Sequence, residues 1–281
     1  MKKTKKKKND YLKFWEKYGP YAVVAGGSNG LGAAFAESLA RRGMNLILLA
    51  REKECLEVTA RRLREKYSVD ITTFSVDLAD YEKVKEFILE LISGDKPKVS
   101  VGLLVYNAAF APIGLFENTS EEHLSLAAAV NVRTPLLLSK LLSTQMIEKK
   151  RGGIVLMSSL ASAQGSPKLA SYAATKAFNT VLAEGLWKEL KHHGVNVIGC
   201  CAGAISTPGY EQASAVGAKK SKAAPGTMTA AQAAEKTIKA LGKGPIIIPG
   251  GINKLAKFVL TRLLTKKAAI GIMSNNTKGL S

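Results

Sequence analysis

Short apolar runs recur along the chain, and each is followed by a segment whose apolar residues repeat with a helical period. The runs are rich in Val, Ile and Leu and contain few polar residues. This pattern is typical of strands that are buried on both faces of a parallel sheet. Seven strands are predicted: Tyr21–Ala25, Asn45–Ala50, Asp70–Val76, Val101–Tyr106, Gly153–Met157, Val195–Cys201 and Pro245–Ile248.

Helices are predicted between the strands, where apolar residues recur every three or four positions. They cover Leu31–Arg42, Lys53–Lys66, Tyr81–Ile92, Glu121–Lys149, which contains Pro135, and Leu169–His192. Strands that alternate with helices build an α/β fold with right-handed crossovers and with helices on both faces of the sheet. The sequence therefore predicts a doubly wound parallel sheet of about seven strands in a single domain.

No linker or repeat interrupts this pattern. We expect one domain over residues 13–281, preceded by a basic disordered tail over residues 1–12. Residues 208–227 contain Gly, Ala and three Lys after the sixth strand, which is typical of a mobile substrate lid. Residues 252–281 form a basic amphipathic C-terminal segment.

A glycine-rich turn joins the first predicted strand to the first helix, where residues 25–32 are AGGSNGLG. In a Rossmann-type turn, one glycine bends the chain, a second lets a pyrophosphate approach the backbone, and a third lets the helix pack on the sheet. Gly26, Gly30 and Gly32 can fill these roles, and the helix N-terminus then faces the phosphates. A structural turn that binds no ligand is the alternative.

A second motif follows the fifth strand. Ser159 ends that strand, Tyr172 comes thirteen residues later, and Lys176 stands four residues after Tyr172. Tyr172 and Lys176 therefore project from one face of a helix. Ligands of open α/β sheets bind at the carboxyl ends of the strands, so Ser159 can face a substrate.

The same spacing occurs a second time, at Ser68, Tyr81 and Lys85. Ser68 precedes its strand, so it lies at the wrong end of the sheet to face a ligand. We interpret Tyr81 and Lys85 as a solvated helix face after a cap at Asp80.

Together these motifs resemble those of the classical short-chain dehydrogenases/reductases over about residues 18–250. The four catalytic residues of that family match Asn131, Ser159, Tyr172 and Lys176. The family's turn usually begins with Thr, where this chain has Ala25. Its Asn-Asn-Ala-Gly segment is here Tyr-Asn-Ala-Ala at residues 106–109, and its Pro-Gly-x-x-x-Thr segment is Ala-Gly-Ala-Ile-Ser-Thr at residues 202–207.

The resemblance implies a role for each catalytic position. Tyr172 would be the acid or base, and because a free tyrosine titrates near pH 10, the Lys176 ammonium and an oxidised nicotinamide must stabilise its phenolate. Lys176 would also bind the nicotinamide ribose, and Ser159 would hold the substrate oxygen. Asn131 would position a water in a proton relay; taken alone, it could be a helix-kink residue before Pro135.

NADP(H) is the cofactor that the second strand favours. Arg51 follows this strand in the place where an acidic residue would bind the ribose hydroxyls of NAD, and it can pair with a 2′-phosphate, with Ser28 nearby. A surface arginine without that role is the alternative. The cofactor-binding residues implied by the motifs are Gly26, Ser28, Asn29, Gly30, Leu31, Arg51, Asp77, Leu78, Asn107, Ala108, Tyr172, Lys176, Gly203, Ile205 and Thr207.

The chain is strongly basic, with a formal net charge of +19 at pH 7. Six lysines lie in residues 1–10, and residues 236–281 contain nine Lys or Arg and no acidic residue. The C-terminal segment could lie on an anionic membrane or dock a phosphate-bearing acyl carrier, or it could be a solvated helix packed by its apolar face. Nucleic acid is not expected as a partner, since no recognition motif accompanies the charge.

No metal site and no disulfide framework are expected from the cysteines, because Cys55, Cys200 and Cys201 lack ligand spacing and are odd in number. The N-terminus has no apolar signal segment and no run of 18 apolar residues occurs, so we expect a cytoplasmic protein.

Residues 16–19, 42–45 and 241–243 resemble a branch that contains 3-oxoacyl-CoA reductases and bacterial 7β-hydroxysteroid dehydrogenases. The resemblance implies a bulky apolar alcohol or ketone as substrate and a homodimer or homotetramer. A non-catalytic NADP-binding regulator and a basic peripheral membrane protein are the alternative functions.

Overall fold

The computed structural model describes residues 2–93, 99–206 and 226–277. The strands within these ranges are β1 Tyr21–Ala25, β2 Asn45–Ala50, β3 Ile71–Ser75, β4 Val101–Tyr106, β5 Gly152–Ser159, β6 Val195–Ala202, β7 Ile205–Ser206, β8 Met228–Thr229 and β9 Ile246–Ile247. Seven of them form one parallel sheet in the order β3-β2-β1-β4-β5-β6-β9, and β7 pairs with β8. The predicted doubly wound sheet is confirmed, and the predicted strand ends agree within one or two residues.

The helices within the same ranges are α1 Lys2–Tyr18, α2 Gly30–Ala40, α3 Lys53–Tyr67, α4 Tyr81–Ser93, α5 Glu121–Ala128, α6 Thr134–Glu148, α7 Ala170–Leu190, α8 Ala230–Ala240, α9 Gly251–Phe258 and α10 Lys266–Thr277. Helices cover both faces of the sheet. Val24 of β1 packs in a core cluster with Phe35 of α2, whereas its neighbour Val23 packs in a second cluster with Leu138 of α6. Successive side chains of a strand point to opposite faces, so one apolar strand supplies both clusters.

The structure differs from the disordered tail expected over residues 1–12, because α1 already begins at Lys2. Lysine is a good helix former, and a stripe of aromatic residues continues the helix onto the body of the protein. The Arg42 guanidinium lies 4.9 Å from the centroid of the Tyr11 ring and 5.3 Å from that of Phe14. Tyr18 is buried and accepts a hydrogen bond from Asn196 Nδ2 (3.1 Å). The tail was predicted from the lysine run alone, and the helical spacing of the aromatic residues that follow it was not taken into account.

A π-helical turn, Ala129–Arg133, divides the long helix that was predicted at Glu121–Lys149. Pro135 has no N–H and cannot donate to the carbonyl of Asn131 four residues earlier. The wider turn lies where this helical bond is missing, and it separates α5 from α6.

Candidate active site

The glycine turn after β1 is shaped by close backbone contacts. Gly26 has φ +78° and donates its N–H to Leu49 O (2.7 Å). A Cβ at Gly26 would lie 2.9 Å from the backbone of Ala108, and a Cβ at Gly32 would lie 1.7 Å from Gly26 O. The turn therefore needs glycine at both positions, and α2 starts directly against it.

Two side chains hold this turn from neighbouring elements. Thr59 of α3 donates its hydroxyl to Ser28 O (2.6 Å), and Asn107 donates Nδ2 to Gly26 O (3.2 Å). Asn29 caps α2 with an extended backbone and no side-chain capping bond, so the first amide groups of α2 are not covered by its own cap. The positive end of the helix dipole and these amides favour an anion beside the turn. Sequence reasoning missed Thr59, because its contact spans 31 residues.

A cleft of about 360 Å³ opens at the carboxyl ends of β1, β2 and β4. The strand order reverses between β1 and β4, which is where doubly wound sheets bind their ligands. Ten residues predicted to bind a cofactor line this cleft: Gly26, Ser28, Asn29, Gly30, Leu31, Arg51, Asp77, Leu78, Asn107 and Ala108. The structure thus brings together residues that are up to 82 positions apart, from Gly26 to Ala108.

Gly203 and Ile205 lie apart from the lining of this cleft, beyond the end of β6. A Cβ at Gly203 would meet the side chain of Asn253 at 2.6 Å, and Ile205 is buried in β7. Thr207 and residues 208–225 of the predicted lid lie outside the described residues.

Arg51 and Glu52 place opposite charges beside each other at the edge of the cleft. Arg51 is exposed, and its backbone carbonyl accepts a hydrogen bond from Ser75 Oγ (2.8 Å). Glu52 accepts a hydrogen bond from the Cys55 thiol (3.3 Å). Sequence reasoning missed Glu52, although its position directly after Arg51 was the available signal. At this place the Arg51 guanidinium attracts an anion and the Glu52 carboxylate repels one.

Ser159 and Tyr172 meet at the end of β5. Ser159 is the last residue of that strand, and its hydroxyl accepts a hydrogen bond from Ala161 N (3.2 Å). Burial raises the pKa of Tyr172, and a hydrogen bond between the Ser159 and Tyr172 side chains partly offsets that effect. The phenol therefore holds its proton at neutral pH, beside a hydroxyl that can bind the same oxygen.

Lys176 lies one helical turn after Tyr172 and is buried. Its Nζ donates to Met157 O (3.0 Å) and lies 5.7 Å from the centroid of the Tyr172 ring. Burial lowers the pKa of Lys176 to about 8. The ammonium is still the main form at pH 7, so it can stabilise a negative charge on the phenol oxygen.

Asn131 is fully buried in the π-helical turn and joins three parts of the site. Its side chain accepts from Phe110 N (2.8 Å) and donates to Phe110 O (2.7 Å) and Thr175 Oγ1 (3.1 Å). Its backbone carbonyl, which lacks the usual helical donor because residue 135 is proline, accepts from Asn179 Nδ2 (2.8 Å). The side chain of Asn131 therefore connects the loop after β4 to α7.

Thr175 and Asn179 were missed by sequence reasoning. Thr175 Oγ1 donates to Tyr172 O (2.9 Å), and Asn179 is buried against Asn131. A signal was present, because residues 172, 175, 176 and 179 are all polar at the spacing of one helix face.

A second cavity, of about 520 Å³, shares Phe110 with the cleft. Its apolar wall comes from residues 110–115 in the loop after β4, and its polar groups come from Asn118, Thr119, His123 and Lys168. The Phe110 and His123 rings are 5.5 Å apart. The cavity suits a ligand with an apolar body, and it adjoins the Phe110 backbone that Asn131 binds.

Tyr81 was expected on a solvated helix face, and this expectation was wrong. Tyr81 is buried in the second core cluster, and its hydroxyl is 3.4 Å from Leu137 O. Its neighbours on the sheet side are apolar strands, which cover the ring. Lys85 is partly exposed and pairs with Glu82 at 3.0 Å, as a solvated helix residue would.

The family model for short chain dehydrogenases matches residues 20–216 of the chain. Three relatives are similar to the chain over more than 180 residues each. A very-long-chain 3-oxoacyl-CoA reductase of Laccaria bicolor is 34% identical over 187 residues, which are 66% of this chain and 54% of the relative. The human inactive hydroxysteroid dehydrogenase-like protein 1 is 34% identical over 184 residues, covering 65% of this chain and 54% of the relative. The 7beta-hydroxysteroid dehydrogenase of Clostridium sardiniense is 31% identical over 250 residues, covering 86% of this chain and 90% of the relative.

The chain thus spans about half the length of the first two relatives and nearly all of the third. Among solved structures, one from a study of 7beta-hydroxysteroid dehydrogenase stereoselectivity has a TM-score of 0.83 at 25% identity and covers 92% of this chain and 98% of that one. A short-chain dehydrogenase from Sphingobium yanoikuyae in complex with NADPH has a TM-score of 0.72 at 26% identity, with 82% and 87% covered.

Proposed function

Because the chain belongs to the short-chain dehydrogenase family, we propose that it is an NADP(H)-dependent oxidoreductase that interconverts a secondary alcohol and a ketone. The substrate is a bulky apolar compound such as a hydroxysteroid or a 3-oxoacyl thioester. The observation that carries the proposal is the arrangement of three side chains at the end of β5. Ser159 contacts Tyr172 there, and the buried Lys176 lies one helical turn after Tyr172.

The residues at the cleft fit NADP(H). Gly26 and Gly32 leave no room for a Cβ, so the turn holds α2 close to the sheet. Gly30 has no side chain that would keep a pyrophosphate away from the backbone, and the N-terminus of α2 offers the pyrophosphate free amide groups. Arg51 would pair with the 2′-phosphate and Asp77 would contact the adenine side. Lys176 would bind the nicotinamide ribose. The Sphingobium neighbour was solved with NADPH, which supports the same choice here.

When bound, NADP(H) would supply a hydride for the carbonyl carbon in reduction and would take one up in oxidation. In reduction, Tyr172 gives its proton to the carbonyl oxygen as the C–O π electrons move onto that oxygen, and Ser159 donates a hydrogen bond to the same atom. The Lys176 ammonium stabilises the phenolate that remains, and water then returns a proton to Tyr172. In oxidation, the Tyr172 phenolate accepts the proton of the alcohol.

Asn131 supports this chemistry in two ways. Its side chain fixes the Phe110 loop against α7, which carries Tyr172 and Lys176. Its backbone carbonyl has a second lone pair beside the Asn179 bond, and this lone pair can accept a hydrogen bond from a water in the proton relay.

The second cavity supports this substrate class. Its wall of Phe110, Ile113 and Leu115 suits a large apolar body. The Clostridium relative is named for a hydroxysteroid and the Laccaria relative for an acyl thioester, and both compounds have such a body.

For location we propose the cytoplasm, since Cys55, Cys200 and Cys201 are all free thiols, as in a reducing compartment. In the parts of the chain that the structure describes, no helix has the length and apolar character that crossing a bilayer requires.

For assembly we propose a homodimer or homotetramer through α6 and α7, where Leu136 and Val181 are exposed apolar residues.

A screen of NADPH oxidation against steroid ketones, 3-oxoacyl thioesters and simple aldehydes tests the proposal. We expect turnover with one of the two bulky classes and much less with small aldehydes. Tight NADPH binding in a fluorescence titration without oxidation of any compound would favour the non-catalytic alternative. Turnover with NADH only would overturn the cofactor assignment.

A further inference from the structure

Helix α9 exposes its apolar side chains and buries a polar one. Ile252, Leu255 and Phe258 are each more than half exposed, whereas Asn253 is the buried residue of this helix. Leu263, one turn further along in the π-helical turn Val259–Leu263, is also more than half exposed. A surface helix of a soluble protein normally has the opposite arrangement, with its apolar stripe against the core.

Polar contacts explain why this arrangement is fixed. Asn253 Nδ2 donates to Pro249 O (2.9 Å) and Gly226 O (3.2 Å). Further along, Lys266 Nζ donates to Ala163 O (3.0 Å), and the hydroxyls of Ser166 and Thr277 are 3.1 Å apart. These hydrogen bonds fix which side of α9 and α10 faces the protein. The exposed apolar side chains of α9 therefore cannot be buried by rotation of the helix.

The charged residues of this C-terminal segment all have the same sign. From Lys236 to Thr277 the chain has eight Lys or Arg and no acidic residue. Lys254 and Arg262 are exposed beside the apolar residues. We call the group formed by Ile252, Leu255, Phe258, Leu263, Lys254 and Arg262 the C-terminal patch.

We propose that the C-terminal patch docks on the surface of an anionic membrane. Apolar residues one turn apart can enter the acyl boundary while Lys and Arg reach the lipid phosphates, which is how an amphipathic helix lies in a bilayer interface. A second copy of the chain fits less well, since a two-fold contact would place like charges opposite each other. The inference is independent of the proposed reaction, because membrane binding is measured without cofactor or substrate.

Co-sedimentation of the full chain with vesicles tests the docking. We expect binding to phosphatidylcholine vesicles that contain phosphatidylglycerol and little binding to phosphatidylcholine alone. The lysine-rich α1 will also attract anionic lipid, but that attraction weakens as salt is raised. The double variant Leu255→Ser/Phe258→Ser keeps every charge, and we expect it to lose about ten-fold to a hundred-fold of the vesicle partition at raised salt.

Val58→Ser is the matched control, because Val58 of α3 and Leu255 are both 64% exposed. We expect this control to bind vesicles like the unchanged protein. Equal binding by all three proteins would overturn the proposal and assign the binding to α1. A change in molar mass with protein concentration that the double variant abolishes, in the absence of vesicles, would also overturn it in favour of a second copy.

A depth measurement keeps the proposal testable if the double variant does not fold. Phe258→Trp and Val58→Trp place a reporter inside and outside the patch, and vesicles with brominated acyl chains quench a tryptophan that enters the bilayer. We expect extra quenching over the unchanged protein only for Phe258→Trp. Quenching that is equal for the two variants, or binding to an acidic acyl carrier protein instead of vesicles, would overturn membrane docking.

Discussion

Two tyrosines stand four residues before a lysine, and the structure gives them different surroundings. Tyr172 contacts Ser159 at the end of β5, whereas Tyr81 is buried among apolar strands and helices. In the proposed reaction the Tyr172 hydroxyl gives its proton to the substrate, so we expect Tyr172→Phe to lower NADPH oxidation by about a hundred-fold to ten-thousand-fold. The Kd of NADPH should stay within a few-fold, because the cleft is unchanged.

Tyr81→Phe is the matched control for that variant. Its hydroxyl makes one long hydrogen bond to Leu137 O, at 3.4 Å, so its loss should leave kcat and KM unchanged. A similar fall in kcat for both variants would mean that the loss reflects folding or that the wrong tyrosine was assigned.

The proposed preference for NADPH over NADH depends on one charge, that of Arg51. If its guanidinium binds the 2′-phosphate, Arg51→Ala removes charge-assisted hydrogen bonds worth about 1.5 to 3 kcal/mol. We expect the Kd of NADPH to rise by about ten-fold to a hundred-fold and the Kd of NADH to stay the same. Fluorescence titration of both cofactors measures this, with Arg61→Ala on the exposed side of α3 as the control for net charge. Equal losses for both cofactors would leave the 2′-phosphate without an assigned partner.

Sequence motifs located the residues whose roles depend on local spacing and missed those whose partners are distant in the chain. Tyr172, Lys176 and Gly26 stand in short motifs. Thr59 has no such signal, because it acts through a contact with a residue 31 positions away. Asn179 stands on the polar face of α7, but its partner Asn131 is 48 positions away and no short motif joins the two. Glu52 was missed for another reason. Arg51 had been assigned to the 2′-phosphate, and the charge of the next residue was not considered.

At the scale of elements, buried strands were the easiest to predict. β1 and β2 match their predicted bounds, because both faces of each strand are covered and their sequences are apolar throughout. Helix α1 was missed, because its lysine run is typical of a disordered tail. The aromatic residues at helical spacing, among them Tyr11 and Phe14, were the signal for a helix. The π-helical turn at Asn131 could not be predicted from Pro135 alone, because a proline can equally kink a helix or begin a new one.

Two helical glycines give a matched test of the turn that starts α2. A Cβ at Gly32 would lie 1.7 Å from Gly26 O, whereas a Cβ at Gly185 of α7 meets nothing within 4 Å. Gly32→Ala should therefore lower the free energy of unfolding by about 3 kcal/mol or more and weaken NADPH binding. Gly185→Ala should raise it by about 0.5 to 1 kcal/mol, because alanine favours the helix. Urea unfolding measures both; a stable Gly32→Ala protein with normal NADPH affinity would contradict the close packing.

For the whole molecule, one carboxylate joins helices from both ends of the chain. Glu235 of α8 accepts hydrogen bonds from Ser38 (2.9 Å), Arg41 (2.7 Å) and Arg42 (2.8 Å), all near the end of α2. Arg42 is buried and lies against the aromatic rings of α1. Burial alone would raise the pKa of Glu235, but Arg42 and the other donors lower it to about 2.

This lowered pKa gives the stability of the protein a defined dependence on pH. A carboxylate whose folded pKa lies below its ordinary value of 4.5 stabilises the fold fully above that pH, and the contribution is lost as the pH falls toward about 2. Glu235→Gln should lower the free energy of unfolding by about 1 to 3 kcal/mol at neutral pH, because it leaves the buried Arg42 charge without its partner. The difference in free energy of unfolding from the unchanged protein should shrink between pH 4.5 and 2, as measured by urea unfolding at each pH.

Glu82→Gln is the control, because it removes an exposed partner of Lys85 on α4. It should lower the free energy of unfolding by less than about 1 kcal/mol at any pH. A loss for Glu235→Gln that stays constant down to the lowest pH would show that packing of the side chain, and not its charge, holds α1, α2 and α8 together.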